Sequence, residues 1–157
     1  MISIRLHHTF VYQSGTVMAT EVHRFIGVFH GDGGVRGELA YALGKLRGTT
    51  SCALCEISHR GFRTNPEWTD VTCAVGVPFD LVHRNERSPE VVGLTREHTP
   101  AVVAQTDSGY RIMMGPEDFA GVSGDAQEFI AALYRACVDN HVAWPGVQTP
   151  EFGEAQR

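Results

Sequence analysis

The chain has 157 residues, 43% of them hydrophobic and 20% charged, with a formal net charge of −5. That length suits one domain with its own core, and an acidic balance without a basic patch excludes nucleic acid as the expected partner. No apolar run approaches the roughly 20 residues needed to cross a bilayer, so no membrane partner is expected either.

The first 24 residues, MISIRLHHTFVYQSGTVMATEVHR, hold no continuous apolar stretch and no small-residue cleavage site. They do not read as a signal peptide, and they keep no strand or helix period. We expect a poorly structured extension over 1–20, with the true start at Met18. A single domain over 21–141 and a loose tail over 142–157 should follow. Without an export signal the expected compartment is the cytosol. There a C-x-x-C pair serves catalysis or metal binding more often than a structural bridge.

Phe25-Ile-Gly-Val-Phe29 is a short apolar run stopped by His30-Gly-Asp-Gly-Gly34, the pattern of a buried strand. Val35, Leu39, Leu43 and Leu46 then repeat at helical spacing, predicting a helix over 35–47 that ends near Gly48. Asn65-Pro-Glu-Trp68 begins another helix: Asn caps, Pro fits the first turn, and Glu meets the positive end of the dipole. Trp68, Val71 and Val75 form its apolar stripe. A second strand runs over 77–83, followed by a polar stretch over 84–98 with a short helical turn near 88–93. Thr99-Pro100 opens Ala-Val-Val-Ala104, and Thr106-Asp-Ser-Gly109 turns it back into Tyr110–Met114 as a hairpin. The last helix spans about 125–139, with Phe129, Ile130, Leu133 and Cys137 on one stripe.

This order of elements resembles the thioredoxin fold. The match rests on Phe25–Leu46, similar to that fold's first strand and active-site helix, and on Thr99–Gly115. The latter is similar to the stretch where a cis-proline opens the third core strand and a turn leads to the edge strand. The resemblance implies an α/β domain: a central mixed β-sheet, flanking helices, and a helical insertion over about 49–76 after the first core helix. In thioredoxins a C-x-x-C begins that first helix. Here His30-Gly-Asp-Gly-Gly-Val-Arg36 occupies the position, and the thiols come later, so of the catalytic pattern only Pro100 carries over. The C-A-L-C insertion with its downstream Asn65-Pro-Glu-Trp68 also resembles small bacterial proteins with a thioredoxin-like core, a similarity that implies no mechanism.

The densest chemistry lies in Ser51-Cys-Ala-Leu-Cys-Glu-Ile-Ser-His59. On a helix capped by Thr50 or Ser51, Cys52, Cys55, Glu56 and His59 would share one face. One reading is a redox dithiol with Cys52 as attacking thiolate and Cys55 as resolving thiol, exchanging with a small thiol or a protein disulfide. Another is a zinc, iron or copper site built from Cys52, Cys55 and His59, with Glu56, Cys73 or His83 as a further ligand. A third is two small buried cysteines in a non-catalytic interaction module. The strand-end rim of such a fold would gather His30, Asp32, Gly33, Gly34, His83, His98, Thr99 and Pro100 for substrate binding. The amides of Gly33 and Gly34 there are candidates for holding an anion, unless the segment is simply a turn with a capping Asp.

Overall fold

The computed structural model describes residues 20–34, 52–60, 63–122 and 124–145. In chain order they form β1 (Thr20–Val28), α1 (Ala53–Ser58), β2 (His59–Arg60), β3 (Arg63–Thr64), α2 (Pro66–Ala74) and β4 (Phe79–Val82). A single 3-10 turn (Arg84–Glu86) leads to α3 (Pro89–Thr95), β5 (Ala101–Thr106), β6 (Gly109–Met114), α4 (Pro116–Phe119), α5 (Ala126–Asp139) and β7 (Val142–Ala143). The helix expected over 35–47 and the extension over 1–19 lie outside the described residues. Among the described residues no helix is long and apolar enough to cross a membrane.

Local chemistry explains where the helices begin. Proline opens α2, α3 and α4, where a missing N–H costs nothing and the fixed φ suits the first turn. Asn65, Ser88 and Asp125 cap α2, α3 and α5 by accepting bonds from backbone N–H groups at each helix start. The polar stretch over 84–98 therefore holds a seven-residue helix from Pro89 to Thr95.

The main sheet runs β4–β1–β5–β6. Strand β1 is parallel to β4 and antiparallel to β5, and β5 turns back into β6 through Asp107 and Ser108. Gly109, at φ 111°, takes the left-handed conformation that closes the turn. The result is a mixed α/β domain with a sheet of mixed direction. The Thr99–Pro100 peptide at the entry to β5 is cis.

Strand β1 starts earlier than the apolar run Phe25–Phe29. Val22 and Phe25 are both fully buried although three residues apart, because the pairing with β5 shifts register between Val22 and Arg24. A strict alternation cannot reveal such a strand. Thr20 and Glu21 pair with β7, and Trp144 is buried with its indole N–H donating to the Val75 carbonyl at 2.9 Å. Val142 to Trp144 thus belong to the packed body, and the loose tail expected from 142 does not begin there.

The two faces of the sheet are unequal. One packs against α1, α2 and α5 in a large core where Trp68, Phe79, Phe119 and Phe129 interlock at centroid distances of 5.0–6.0 Å. The other is a small cluster of Val28, Val91 and Val103 under α3. The expected stripes of α2 (Trp68, Val71, Val75) and α5 (Phe129, Ile130, Leu133, Cys137) face the large core, with Ile130 only partly buried against it.

Candidate functional site

The carboxyl end of β1 and the start of α1 meet at one backbone group. The His30 N–H donates to Cys52 Sγ at 3.3 Å, joining the insertion to the strand end. From the same residue the imidazole Nδ1 lies 2.9 Å from the buried hydroxyl of Thr99, immediately before Pro100. Cys52, His30 and Thr99 therefore form a continuous chain of contacts. Residues from three separated stretches converge on the end of the sheet.

Cys52 is the residue before α1, in an extended conformation, and is not a member of the helix. Helix α1 lasts only from Ala53 to Ser58, and His59 is already extended and paired to Thr64. The expected face of Cys52, Cys55, Glu56 and His59 is thus replaced by another: Leu54, Ile57 and Ser58 are buried, whereas Glu56 is exposed. The reason is local. The Ser58 hydroxyl bonds to the Leu54 carbonyl, and Asn65 is buried: its side-chain amide donates to Ile57 O while its backbone N–H donates to Ser58 O. Asn65 also caps α2, so one side chain ends α1 and starts α2.

The electrostatics favour a thiolate at Cys52. The Cys55 thiol donates to its sulfur, and the His30 amide does the same; the nearby Cys55 and Leu54 amides add to the effect without a formed cap bond. Against burial, which opposes charge, these donors lower its pKa from 9.0 to about 7. Cys55 is only half-buried. The two thiols are unequal: the Cys52 sulfur is buried and accepts from the Cys55 thiol, which is the more exposed of the two.

The other expected site residues divide clearly. Asp32 pairs with Arg84, and the Gly33 amide donates to Asn85 Oδ1 at 2.7 Å, so that amide is already taken and does not present itself to an anion. Asn85 returns a bond to the Gly33 carbonyl, which clamps the loop over 30–34 to the turn after β4. Gly34 is exposed at φ 98°, and His98 is exposed as well. Phe29 lies between the His59 and His83 rings, at centroid distances of 5.8 and 5.1 Å. His59 bonds to Ser58, and His83 to Glu86, each through Nδ1. Burial, with a smaller contribution from His83, holds the His59 pKa below its ordinary value. Glu86 is held below its ordinary value by the backbone and side chain of His83.

Cys73 is exposed on α2, and Cys137 is buried in the core. Among the described residues no three His, Cys, Asp or Glu side chains converge in a group able to hold a metal. His59 leaves the Cys52–Cys55 pair because α1 ends one residue before it.

Compared with protein-family models, curated proteins and solved structures, the chain has no match in any of the three.

The site must then be judged on its own chemistry. A cleft of about 220 Å³ on the α3 side of the sheet is lined by charged residues, among them Arg24, Asp80 and Arg87. Arg24 is paired with Asp80, and the Arg87 guanidinium is bound to Arg84 O, Thr95 Oγ1 and Arg96 O. The cleft's lining holds no cysteine, and its one serine, Ser88, is engaged in capping α3. What the sequence pattern had not signalled is the role of main chain: the His30 amide as a thiol partner and Asn85 as the clamp on Gly33 depend on tertiary approach alone.

Proposed function

We propose that this protein is a thiol–disulfide redox protein of the cytosol, built on a thioredoxin-like scaffold and working through Cys52 and Cys55. The strand order β4–β1–β5–β6, with one parallel and two antiparallel pairings and with Pro100 leading into β5, supports the scaffold. The single observation that carries the chemistry is the sulfur of Cys52, held by the Cys55 thiol and the His30 amide with its pKa lowered to about 7. Thiol–disulfide exchange needs a sulfur that is anionic near neutral pH and a second thiol within reach, so that one forms the mixed disulfide and the other closes the ring. Both are present within four residues.

In the reduced protein the Cys55 thiol donates to the Cys52 sulfur and favours its anionic form. Reaction of the Cys52 thiolate and the Cys55 thiol with a disulfide R–S–S–R transfers two electrons to it: the substrate S–S bond breaks, a Cys52–Cys55 bond forms, and the two R–S groups leave as one thiol and one thiolate that takes its proton from water. Thr99 holds the His30 side chain, and the His30 main chain holds Cys52, so both act as positioning groups. A small thiol disulfide or a protein disulfide fits this chemistry equally.

The test is turnover. Reduced protein incubated with bis(2-hydroxyethyl) disulfide should release two equivalents of 2-mercaptoethanol per Cys52–Cys55 pair beyond the release of the Cys52→Ser,Cys55→Ser variant, in which the exposed Cys73 can free at most one. Equal release from both proteins would assign the chemistry to Cys73 and remove the proposal. No release from either would leave the domain as a non-catalytic module with buried thiols.

A further inference from the structure

Within the redox reading, on which this inference rests, the two cysteines should act in an order set by their burial. We propose that Cys55 is the thiol that meets the external disulfide, and that Cys52 is the buried partner that accepts its proton and then closes the ring.

Access is the first reason. Cys52 is 1% exposed and packs within the large core, whereas Cys55 is partly open to solvent. An external sulfur must approach along the S–S axis of the bond being broken, so a sulfur enclosed on all sides cannot be the entry point. The His30 amide also points at Cys52, occupying one approach to that sulfur.

The chemistry of departure is the second reason, and it is independent of access. Consider the reverse reaction, in which an external thiolate reduces the Cys52–Cys55 bond. The attacked sulfur stays in the mixed disulfide and the other leaves. The better leaving group is the thiolate of lower pKa, and the Cys55 thiol and His30 amide place that property on Cys52. Attack therefore falls on Cys55 and expels Cys52. By microscopic reversibility the forward reaction passes through the same mixed disulfide at Cys55.

The forward steps balance. Cys55 Sγ attacks one sulfur of R–S–S–R while its proton passes to the Cys52 thiolate. The substrate S–S bond breaks, R–S⁻ leaves, and Cys55–S–S–R forms. R–S⁻ then takes the proton from Cys52 and departs as R–SH. The restored Cys52 thiolate attacks the Cys55 sulfur, the mixed disulfide breaks, and a second R–S⁻ leaves. Two thiols have been oxidised to one disulfide, and one disulfide has been reduced to two thiols.

The experiment uses the full chain with Cys73→Ser to silence the exposed third cysteine. Single variants Cys52→Ser and Cys55→Ser in that background are mixed with bis(2-hydroxyethyl) disulfide at pH 8, and adducts are followed by intact and peptide mass. The expected result is a trapped adduct on Cys55 in the Cys52→Ser protein, formed at least tenfold faster than any adduct on Cys52 in the Cys55→Ser protein. Faster trapping on Cys52, with the two-cysteine parent still turning over, would overturn the order alone. A parent that forms no Cys52–Cys55 disulfide would sink the redox reading and the order with it. Brief iodoacetamide labelling of the reduced parent guards against misfolding of the variants. Cys55 should be labelled first, label on Cys52 first would overturn the order, and label on Cys137 would expose unfolding.

Discussion

Cys52 and Cys137 are both 1% exposed, yet their thiols are pushed in opposite directions. Cys52 lies before α1 with hydrogen-bond donors around its sulfur, and its pKa falls to about 7. Cys137 lies on the apolar stripe of α5, where its S–H donates to the thioether of Met113 at 3.8 Å and desolvation raises its pKa to about 12. Burial is common to both. Donors that stabilise the anion are found only at Cys52, and they outweigh the cost of burying its charge. The same residue type is a packing element at one end of the molecule and a reactive group at the other.

The largest way to stress this contrast is to damage the packing end. Phe129→Ala removes a fully buried ring from contact with Trp68, Phe79 and Phe119. It should lower stability by about 3–5 kcal/mol in a denaturant titration. In the fraction that remains folded, Cys52 should still ionise near 7, because none of its donors is lost.

The pH dependence of stability should carry both signatures. An unfolded cysteine titrates near 9, and Cys52 in the folded protein near 7. Between those values the unfolded state binds more protons, so stability should rise as pH increases from about 7 to 9, and be lost as pH falls through 7. Cys137 has the reverse sign: its folded value of about 12 means that stability falls as pH rises above about 9. Unfolding titrations of the parent and of Cys52→Ser would separate them, since only the first slope should disappear in the variant.

Removing one donor is a smaller perturbation. In Cys55→Ala the Cys52 ionisation, followed by thiolate absorbance at 240 nm, should move from about 7 back towards 9, since the Cys55 thiol is the leading cause of the shift. An unchanged midpoint would mean that the main-chain donors suffice. Smallest of all is the effect at His59, whose pKa is held down first by burial and then by His83. Acidification below about 6.5 should weaken the parent slightly, because the unfolded imidazole takes a proton that the folded one resists. His59→Asn should lose that part of the acid slope.

Much of the scaffold is legible where local chemistry decides it. Asn65-Pro66 marks the start of α2, Asp125 that of α5, and Pro100 with Gly109 brackets β5 and its turn. The start of β1 is hidden, because the register shift near Val22 breaks the alternation on which a strand is recognised. At the site, Cys52 and Cys55 stand out by their spacing, but their roles do not. The same nine residues favour a helix carrying four ligands on one face until Asn65, on another element, takes the last carbonyls of α1 and stops it at Ser58. Likewise, the approach of the His30 amide to Cys52 spans 22 residues and leaves no periodic trace. The donors that separate Cys52 from Cys137 are therefore products of tertiary packing.

The central claim is that Cys52 and Cys55 form a working redox pair. Equilibrating the protein across ratios of reduced to oxidised glutathione, quenching with acid and mapping peptides by mass measures it directly. The account predicts one reversible Cys52–Cys55 disulfide with a single midpoint, and Cys137 free throughout. If both cysteines stay reduced at every ratio, or only glutathione adducts on Cys73 accumulate, the claim is contradicted.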